Sequence, residues 1–233
     1  MGRISVVLPV YNEEENIGPC LRSLWQALRA CDHEILVCYD FAEDRTLGAI
    51  RAMTDAPPTL RLVRNDLGRG VAFAMRAGFN AATGDVVVTT MADLSDPPEV
   101  ILAMAAKIRD DGADVVSGSR YMPGGSQTGG PRLKTLLSRV AGLSLHWIAR
   151  LGTHDATTNF RAYSRRFLNA VRVESTAGFE LGLELTVKAH LGGFRVDEVP
   201  STWVDRTAGT SRFQLRKWLP HYLRWYWRAM SPQ

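Results

Sequence analysis

Between residues 3 and 118, short runs rich in Val, Ile and Leu alternate with segments of helical length, and few folds accommodate that rhythm. A strand covered on both faces reads as an uninterrupted apolar run. Strands separated by helices run parallel, so the pattern predicts a mostly parallel sheet flanked by helices, in the α/β class. Strands are expected at 3–9, 34–39, 60–64, 85–91 and 114–118, with helices near 14–30, 44–54, 69–82 and 97–110. The clearest helix start is Asp96-Pro97-Pro98-Glu99, with Asp96 as N-cap, proline in the first helical position and Glu99 completing a capping box. With 233 residues, 45% of them hydrophobic, one such domain can bury its own core without crosslinks.

Past Gly118 the rhythm stops at Met122-Pro123-Gly124-Gly125-Ser126-Gln127-Thr128-Gly129-Gly130-Pro131, a loop expected to lack rigid structure and to suit a lid. Helices follow near 133–150, 164–172 and 180–191, then a strand at 195–204 and a last helix at 213–229. Gly68-Arg69-Gly70 lacks the third glycine of a dinucleotide fingerprint and reads as a tight turn opening a helix.

The charges divide the chain. Residues 1–116 carry 11 Lys/Arg against 17 Asp/Glu, and residues 117–233 carry 17 against 7. An acidic first half suits a metal-bound nucleotide, and a basic second half suits a phosphorylated acceptor or an anionic membrane surface. Nucleic acid fits less well, because the basic residues are scattered through several helices rather than gathered in one stripe. Cys20, Cys31 and Cys38 form no C-x-x-C pair and read as buried thiols in a reducing compartment. Met1 leads directly into the first strand without the pattern of a signal peptide. The longest apolar-leaning stretch, 136–151, is interrupted by Arg139, His146 and Arg150 and is too short to span a bilayer. A cytoplasmic location is therefore expected.

In an open parallel sheet, ligands sit beyond the carboxyl ends of the strands. Three polar, acidic loops fall there: Pro9-Val10-Tyr11-Asn12-Glu13-Glu14, Tyr39-Asp40-Phe41-Ala42-Glu43-Asp44 and Met91-Ala92-Asp93-Leu94-Ser95-Asp96. Taken singly, Asp44 and Asp96 could be helix caps. Carboxylates collected on one rim also suit a divalent cation such as Mg²⁺ or Mn²⁺ carrying substrate phosphates.

The first and third of these loops, with Asn65, Gly68 and Gly70, Gly84-Asp85-Val86-Val87-Val88, Gly118-Ser119-Arg120-Tyr121, Phe160-Arg161-Ala162-Tyr163, Gly178-Phe179-Glu180-Leu181 and Asp205-Arg206-x-x-Gly209-x-Ser211-Arg212, occur in an order that resembles glycosyltransferase family 2, dolichyl-phosphate mannosyltransferase-like members included. The resemblance runs from about residue 4 to 213. It implies a GT-A, Rossmann-like domain over 1–212, with a nucleotide-sugar and metal half at 1–116 and an acceptor half at 117–212. By the same resemblance, Pro9, Tyr11, Glu13, Asp40, Ala92 and Asp93 would line the donor site. Asp93 would hold the metal, Arg120, Lys134, Ser138, Arg206 and Arg212 would contact the acceptor phosphate, and Asp93, Arg120 and Arg206 would carry the catalysis.

The chain departs from the family at Met91, where an acid is usual, and at Tyr39-Asp40-Phe41-Ala42, where Asp-Asp-Gly-Ser is usual. Methionine is a poor ligand for hard cations, which makes Asp96 the nearest second metal ligand. The implied reaction is an inverting transfer of a hexose from a GDP-mannose or UDP-glucose type donor to a polyprenyl phosphate. Such an acceptor is already a dianion near neutral pH and needs no strong general base. Two alternatives stand beside it: a soluble or glycan acceptor, with Asp155 or Glu184 as base, and a non-catalytic descendant that binds a nucleotide sugar or a membrane. In the segment 213–233, helical spacing puts Lys217, His221, Arg224 and Arg228 on one stripe opposite an aromatic and aliphatic arc. That arc suits peripheral membrane contact through 213–229, or packing of Trp218, Tyr222 and Trp225 on the domain or in a homodimer.

Overall fold

In the computed structural model, which describes residues 2–206 and 215–231, the expected rhythm appears as β1 (Ile4–Pro9), α1 (Ile17–Leu28), β2 (His33–Tyr39), α2 (Arg45–Arg51), β3 (Leu60–Arg64), α3 (Val71–Ala81), β4 (Val86–Thr89), α4 (Val100–Arg109) and β5 (Val115–Ser119). The second half adds β6 (Ser126–Thr128), α5 (Arg132–Trp147), β7 (Arg161–Ser164), α6 (Arg165–Ala170), α7 (Leu181–Leu191), β8 (Val196–Pro200), β9 (Thr202–Val204) and α8 (Leu215–Met230). Among the described residues seven strands form one sheet in the order β3-β2-β1-β4-β7-β5-β8. All neighbours in it are parallel except β7, which runs antiparallel to β4 and β5.

Strand alternation sorts the core into two layers. Val6, Leu8, Ile35, Val37 and Val88 meet Ile17, Leu21 and Leu24 of α1 and Ile101 and Met104 of α4. Their neighbours Val7, Leu36, Val87 and Tyr163 meet Met75 and Phe79 of α3 and Leu181 and Leu185 of α7. A third cluster joins Leu145 of α5, Leu183 and Val187 of α7, and Trp225 and Ala229 of α8. It packs α5, α7 and α8 against one another.

Four expectations are corrected. Asp96 does not cap α4: the chain makes a turn in which Val100 N donates to Pro97 O and Ile101 N to Pro98 O, and Glu99, at the N-cap position, makes no side-chain capping bond. Asp44 does cap its helix, accepting from Thr46 N at 2.9 Å. The single strand expected at 195–204 breaks at buried Ser201, whose N–H donates to Ser119 O while its carbonyl accepts from Ser126 N. Beyond that break β9 leaves the main sheet and pairs in parallel with β6, which lies inside the loop expected to lack rigid structure. Residues 161–164, where no strand was expected, form β7. Cys31 is half-buried, while Cys20 and Cys38 are buried and all three thiols are free.

α5 is seated by a glycine. A Cβ added at Gly142 would lie 2.3 Å from the His154 carbonyl oxygen, so the helix approaches the 154–155 loop closer than any side chain allows. Gly142→Ala is expected to destabilise the protein by about 1–3 kcal/mol, despite alanine's better helix propensity. Urea denaturation measures this; an unchanged or raised midpoint would refute the seating.

Candidate active site

The loops after β1 and β2 are bound into one unit. Asn12 N donates to Asp44 Oδ1 at 3.0 Å, Arg45 N to Asn12 Oδ1 at 3.1 Å, and Glu13 N to Thr46 Oγ1 at 2.9 Å. Asn12 takes the left-handed conformation, φ 52°, which asparagine tolerates better than most residues and which these bonds hold in place. On this unit Tyr11 stands 44% exposed, its ring edge-on to Phe41 at 5.3 Å between centroids. Asp40 is tied downward: Oδ1 accepts from Asn65 Nδ2 and Oδ2 from Gly70 N, each at 2.7 Å.

After β4 the chain turns through Leu94 at φ 60°, a strained position for a leucine, and Asp93 Oδ1 accepts from Ser95 N at 3.2 Å. Buried Cys20 lies beneath. Its thiol is pushed up to about 12 by burial and then by the charges of Asp93, Glu13 and Asp96, which places three carboxylates around the ends of β1 and β4. The Asp96 carboxyl is raised to about 7, first by burial and then by Asp93. It makes no hydrogen bond among the described residues and faces the cavity described below. Arg206 Nη2 lies 2.8 Å from Asp93 Oδ2. Two hard oxygen donors side by side, one with no protein partner, fit a divalent cation. Among the described residues no group of three or more His, Cys, Asp or Glu is arranged to hold one, so the remaining ligands would come from phosphate or water.

A cavity of about 480 Å³ opens from this point toward α5 and α8. Its cationic end holds Arg120, Lys134 and Arg206. Burial lowers the Lys134 pKa, and the neighbouring positive charges of Arg120 and Arg206 lower it further. Arg120 donates from Nε and Nη2 to the two Asp155 oxygens at 2.6 and 3.0 Å, and from Nη2 to Ser138 and Thr157, both at 3.2 Å. Its Nη1 makes no hydrogen bond among the described residues. The other walls are largely apolar, with Leu137 and Ala141 of α5, Phe179, Trp203, and Leu219 and Tyr222 of α8.

Of the residues singled out in the sequence, the cavity gathers Asp93, Asp96, Arg120, Lys134, Ser138 and Arg206. Pro9, Tyr11, Glu13, Asp40 and Ala92 do not line it; Tyr11, Glu13 and Asp40 lie on the adjoining loops after β1 and β2, while Pro9 and Ala92 are buried. Arg212 lies outside the described residues. Asp155 is not placed as a free base: burial pushes its pKa up, but the Arg120 charge and hydrogen bonds outweigh this and hold it below the usual range. Glu184 is buried and accepts from Glu174 N and Ser175 N while pairing with Lys188. Trp203, Gln127 and Thr157 escaped the sequence reading. The first two lie on β9 and β6, whose pairing has no apolar periodicity to reveal it.

The sequence matches the family described as Glycosyl transferase family 2 over residues 5–172. It is 32% identical to a dolichol-phosphate mannosyltransferase of Pyrococcus furiosus across 98% of this chain and 64% of that protein, so the chain spans under two thirds of that relative's length. It is 33% identical to a polyprenol monophosphomannose synthase of Mycolicibacterium smegmatis across 90% of this chain and 80% of that protein. Among solved structures, glucosyl-3-phosphoglycerate synthase from Mycobacterium tuberculosis in complex with Mn²⁺, UDP and glucosyl-3-phosphoglycerate superposes with a TM-score of 0.72 at 18% identity, covering 100% of this chain and 81% of that one. A mycobacterial protein gives 0.75 at 21% identity, covering 100% and 76%.

Because the folded Asp96 carboxyl is raised to about 7 from an ordinary 3.8, folding without metal takes up a proton and loses stability as pH rises between those values. Asp96→Asn should therefore stabilise the metal-free protein at pH 8, on the order of 2 kcal/mol for a half-buried group, and much less near pH 4. Mn²⁺ should raise the melting temperature of the wild type at pH 8 and not that of the variant. Equal melting at both pH values would contradict this placement.

Proposed function

The chain belongs to glycosyl transferase family 2, and from that premise we propose that it transfers a hexose from a nucleotide-diphosphate sugar to a polyprenyl phosphate with inversion. One observation carries the acceptor assignment. The cavity is cationic at Asp93's end and apolar along α5 and α8, and the apolar wall continues onto the outer faces of those helices. A phosphate with a hydrocarbon tail matches that polarity.

In this reading the β1 and β2 rim takes the nucleoside, through Pro9, Tyr11, Glu13 and Asp40 with Ala92 alongside. Asp93 and Asp96 would hold Mg²⁺ or Mn²⁺, which supplies positive charge to the diphosphate leaving group when bound. Lys134, Arg206 and the open Nη1 edge of Arg120 hold acceptor phosphate, with Ser138 beside them and Arg212 assigned there by resemblance. The acceptor dianion attacks without a strong base, in keeping with the full engagement of Asp155 and Glu184. The names of the relatives favour a mannosyl donor, and the UDP complex of the solved neighbour leaves a UDP-sugar in contention.

The outer faces support contact with an anionic bilayer. Leu133, Leu136, Val140, Trp147 and Ile148 form one exposed stripe on α5, and Leu219, Leu223 and Trp227 form another on α8, with Arg132, Arg139, Arg224 and Arg228 exposed nearby. Exposed Trp flanked by Arg suits the headgroup region. The aromatic arc of α8 thus divides: Trp218 and Trp225 pack inward, while Leu219, Leu223 and Trp227 face out. No helix among the described residues is long and apolar enough to cross a membrane, so contact would be peripheral. Free thiols favour the cytoplasmic side. A homodimer through the same faces is the competing use.

Two measurements test this. Incubation with GDP-mannose or UDP-glucose, a polyprenyl phosphate and Mn²⁺ should yield a glycosylated lipid phosphate, and Asp93→Ala should cut the rate on the order of 100-fold or more. No product with either donor would move the non-catalytic reading to the front. The protein should also sediment with anionic vesicles at low salt, and Trp147→Ser with Trp227→Ser should release it. A wild type that ignores vesicles and elutes as a dimer would assign these faces to self-association.

A further inference from the structure

The side chains at the cationic end of the cavity come from separate elements, Arg120 following β5 and Lys134 with Ser138 on α5, and both elements rest on residues 153–155. Asp155 holds Arg120 by Nε and Nη2. α5 leans on the residue beside it: Gly142 sits against the His154 carbonyl, and the His146 imidazole stacks on that of His154, with 3.7 Å between centroids and 24° between planes. His146 Nδ1 also donates to Leu151 O at 2.9 Å, which fixes the ring over the same loop. Residues 151–155 belong to no helix or strand, so their position has to be set from outside.

Glu198 sets it. This residue lies on β8 opposite Ser117 of β5, inside the main sheet, and does not line the cavity. Its side chain is 9% exposed and has no Lys or Arg partner among the described residues. Oε2 accepts from Thr153 Oγ1 at 3.0 Å and from His154 N at 2.8 Å, and Oε1 accepts from His154 Nδ1 at 2.5 Å. Fully buried Thr153 passes the constraint on, because its Oγ1 accepts in turn from Asp155 N at 3.0 Å. A carboxylate withdrawn from water is costly unless its oxygens are matched. Here three donors match them, and all three belong to the segment on which Arg120 and α5 depend.

We propose that Glu198 is a positioning residue for the acceptor phosphate, acting through Thr153 and Asp155 on Arg120 and through His154 on α5. This rests on the transferase reading above. A group that grips a ligand is only as well placed as the hydrogen bonds behind it, and those behind Arg120 lead back to β8. The loops after β1 and β2 receive no hydrogen bond from Glu198 or from 153–155 among the described residues, so the effect should fall on the acceptor and spare the donor.

Initial rates of the full chain test this, with polyprenyl phosphate and the donor sugar nucleotide varied in turn in the presence of Mn²⁺ and the melting temperature taken as the check on folding. Glu198→Ala is expected to raise the acceptor KM on the order of 10-fold, as for a misaligned charge-assisted hydrogen bond, and to leave the donor KM unchanged. Thr153→Val removes only the shared hydroxyl. It should reproduce part of the defect, and the double variant should lose no more than Glu198→Ala alone. Glu198→Gln should restore the acceptor KM, since its oxygen can face Thr153 while its amide donates to the other tautomer of His154. An unchanged acceptor KM, an equal rise in both KM values, additive effects of the two sites, or a glutamine variant as impaired as alanine overturns the proposal and leaves the transferase reading intact. Should Glu198→Ala not fold, Thr153→Val decides by the same split between acceptor and donor. A wild type that glycosylates no lipid phosphate from GDP-mannose or UDP-glucose removes the transferase reading, and this proposal with it.

Discussion

The cavity depends on one buried carboxylate. Asp155 accepts from Arg120 N, Nε and Nη2, and from Thr157 N, Thr157 Oγ1 and Thr158 N, so a single side chain ties the end of β5 to the loop entering β7. Arg161, fully buried, completes the arrangement by donating to the Asp155 and Thr158 carbonyls, each at 2.7 Å, and to Thr186 Oγ1. Two guanidiniums around one carboxylate are tolerable in the interior because nearly every donor is matched; removing one partner of such a pair typically costs about 3–5 kcal/mol. The result is a guanidinium held by one edge, with Nη1 left toward the cavity. Arg120 is thereby pre-oriented, and an anion arriving there need not pay for fixing a flexible chain.

The uneven charge of the chain takes on spatial meaning around this centre. Carboxylates of the first half collect at the ends of β1 and β4, cations of the second half line the cavity, and the Asp93–Arg206 pair is where they meet. Arg206 follows β9, whose Val204 N donates to Ser95 O and whose Asp205 neighbour donates from its backbone to Thr128 O. The strap from 201 to 206 therefore couples the acid loop to the β6 ribbon. In the proposed reaction a phosphate group would compete with Asp93 for Arg206, and a divalent cation would compete with Arg206 for Asp93.

The parallel frame was legible because its strands are covered on both faces, and a six-residue run such as Ile4–Pro9 has no other use. What escaped had physical reasons. β7 carries Arg161 and Ser164, and its charged residue is buried by hydrogen bonds rather than by hydrophobicity, so no local pattern announces a strand. β6, Ser-Gln-Thr, has no apolar pattern and is held by pairing with distant β9 and by Gln127's hydrogen bonds to Tyr121 and Thr135. Asp96 matches a helix-start signal residue for residue, yet turns into the cavity, since Pro97 and Pro98 support a turn before α4 begins. The resemblance assigned Arg120 and Ser138 to the acceptor phosphate; it could not reveal that Asp155, weighed as a base, is what holds Arg120 in place.

Met91 bears on how the charge of a diphosphate would be met. It lines the cavity next to Asp93, where a thioether contributes nothing to a hard cation. With one carboxylate fewer, the protein surroundings of a bound metal are less negative. Lys134 and Arg206 line the same cavity and, in the proposed reaction, would add positive charge beside the phosphate groups, more strongly for the partial burial of Lys134. Buried Lys134 pays for this by a lowered proton affinity, which an arriving phosphate would restore. In the proposed reaction, the departure from the family pattern at Met91 would shift work from the metal toward cationic side chains.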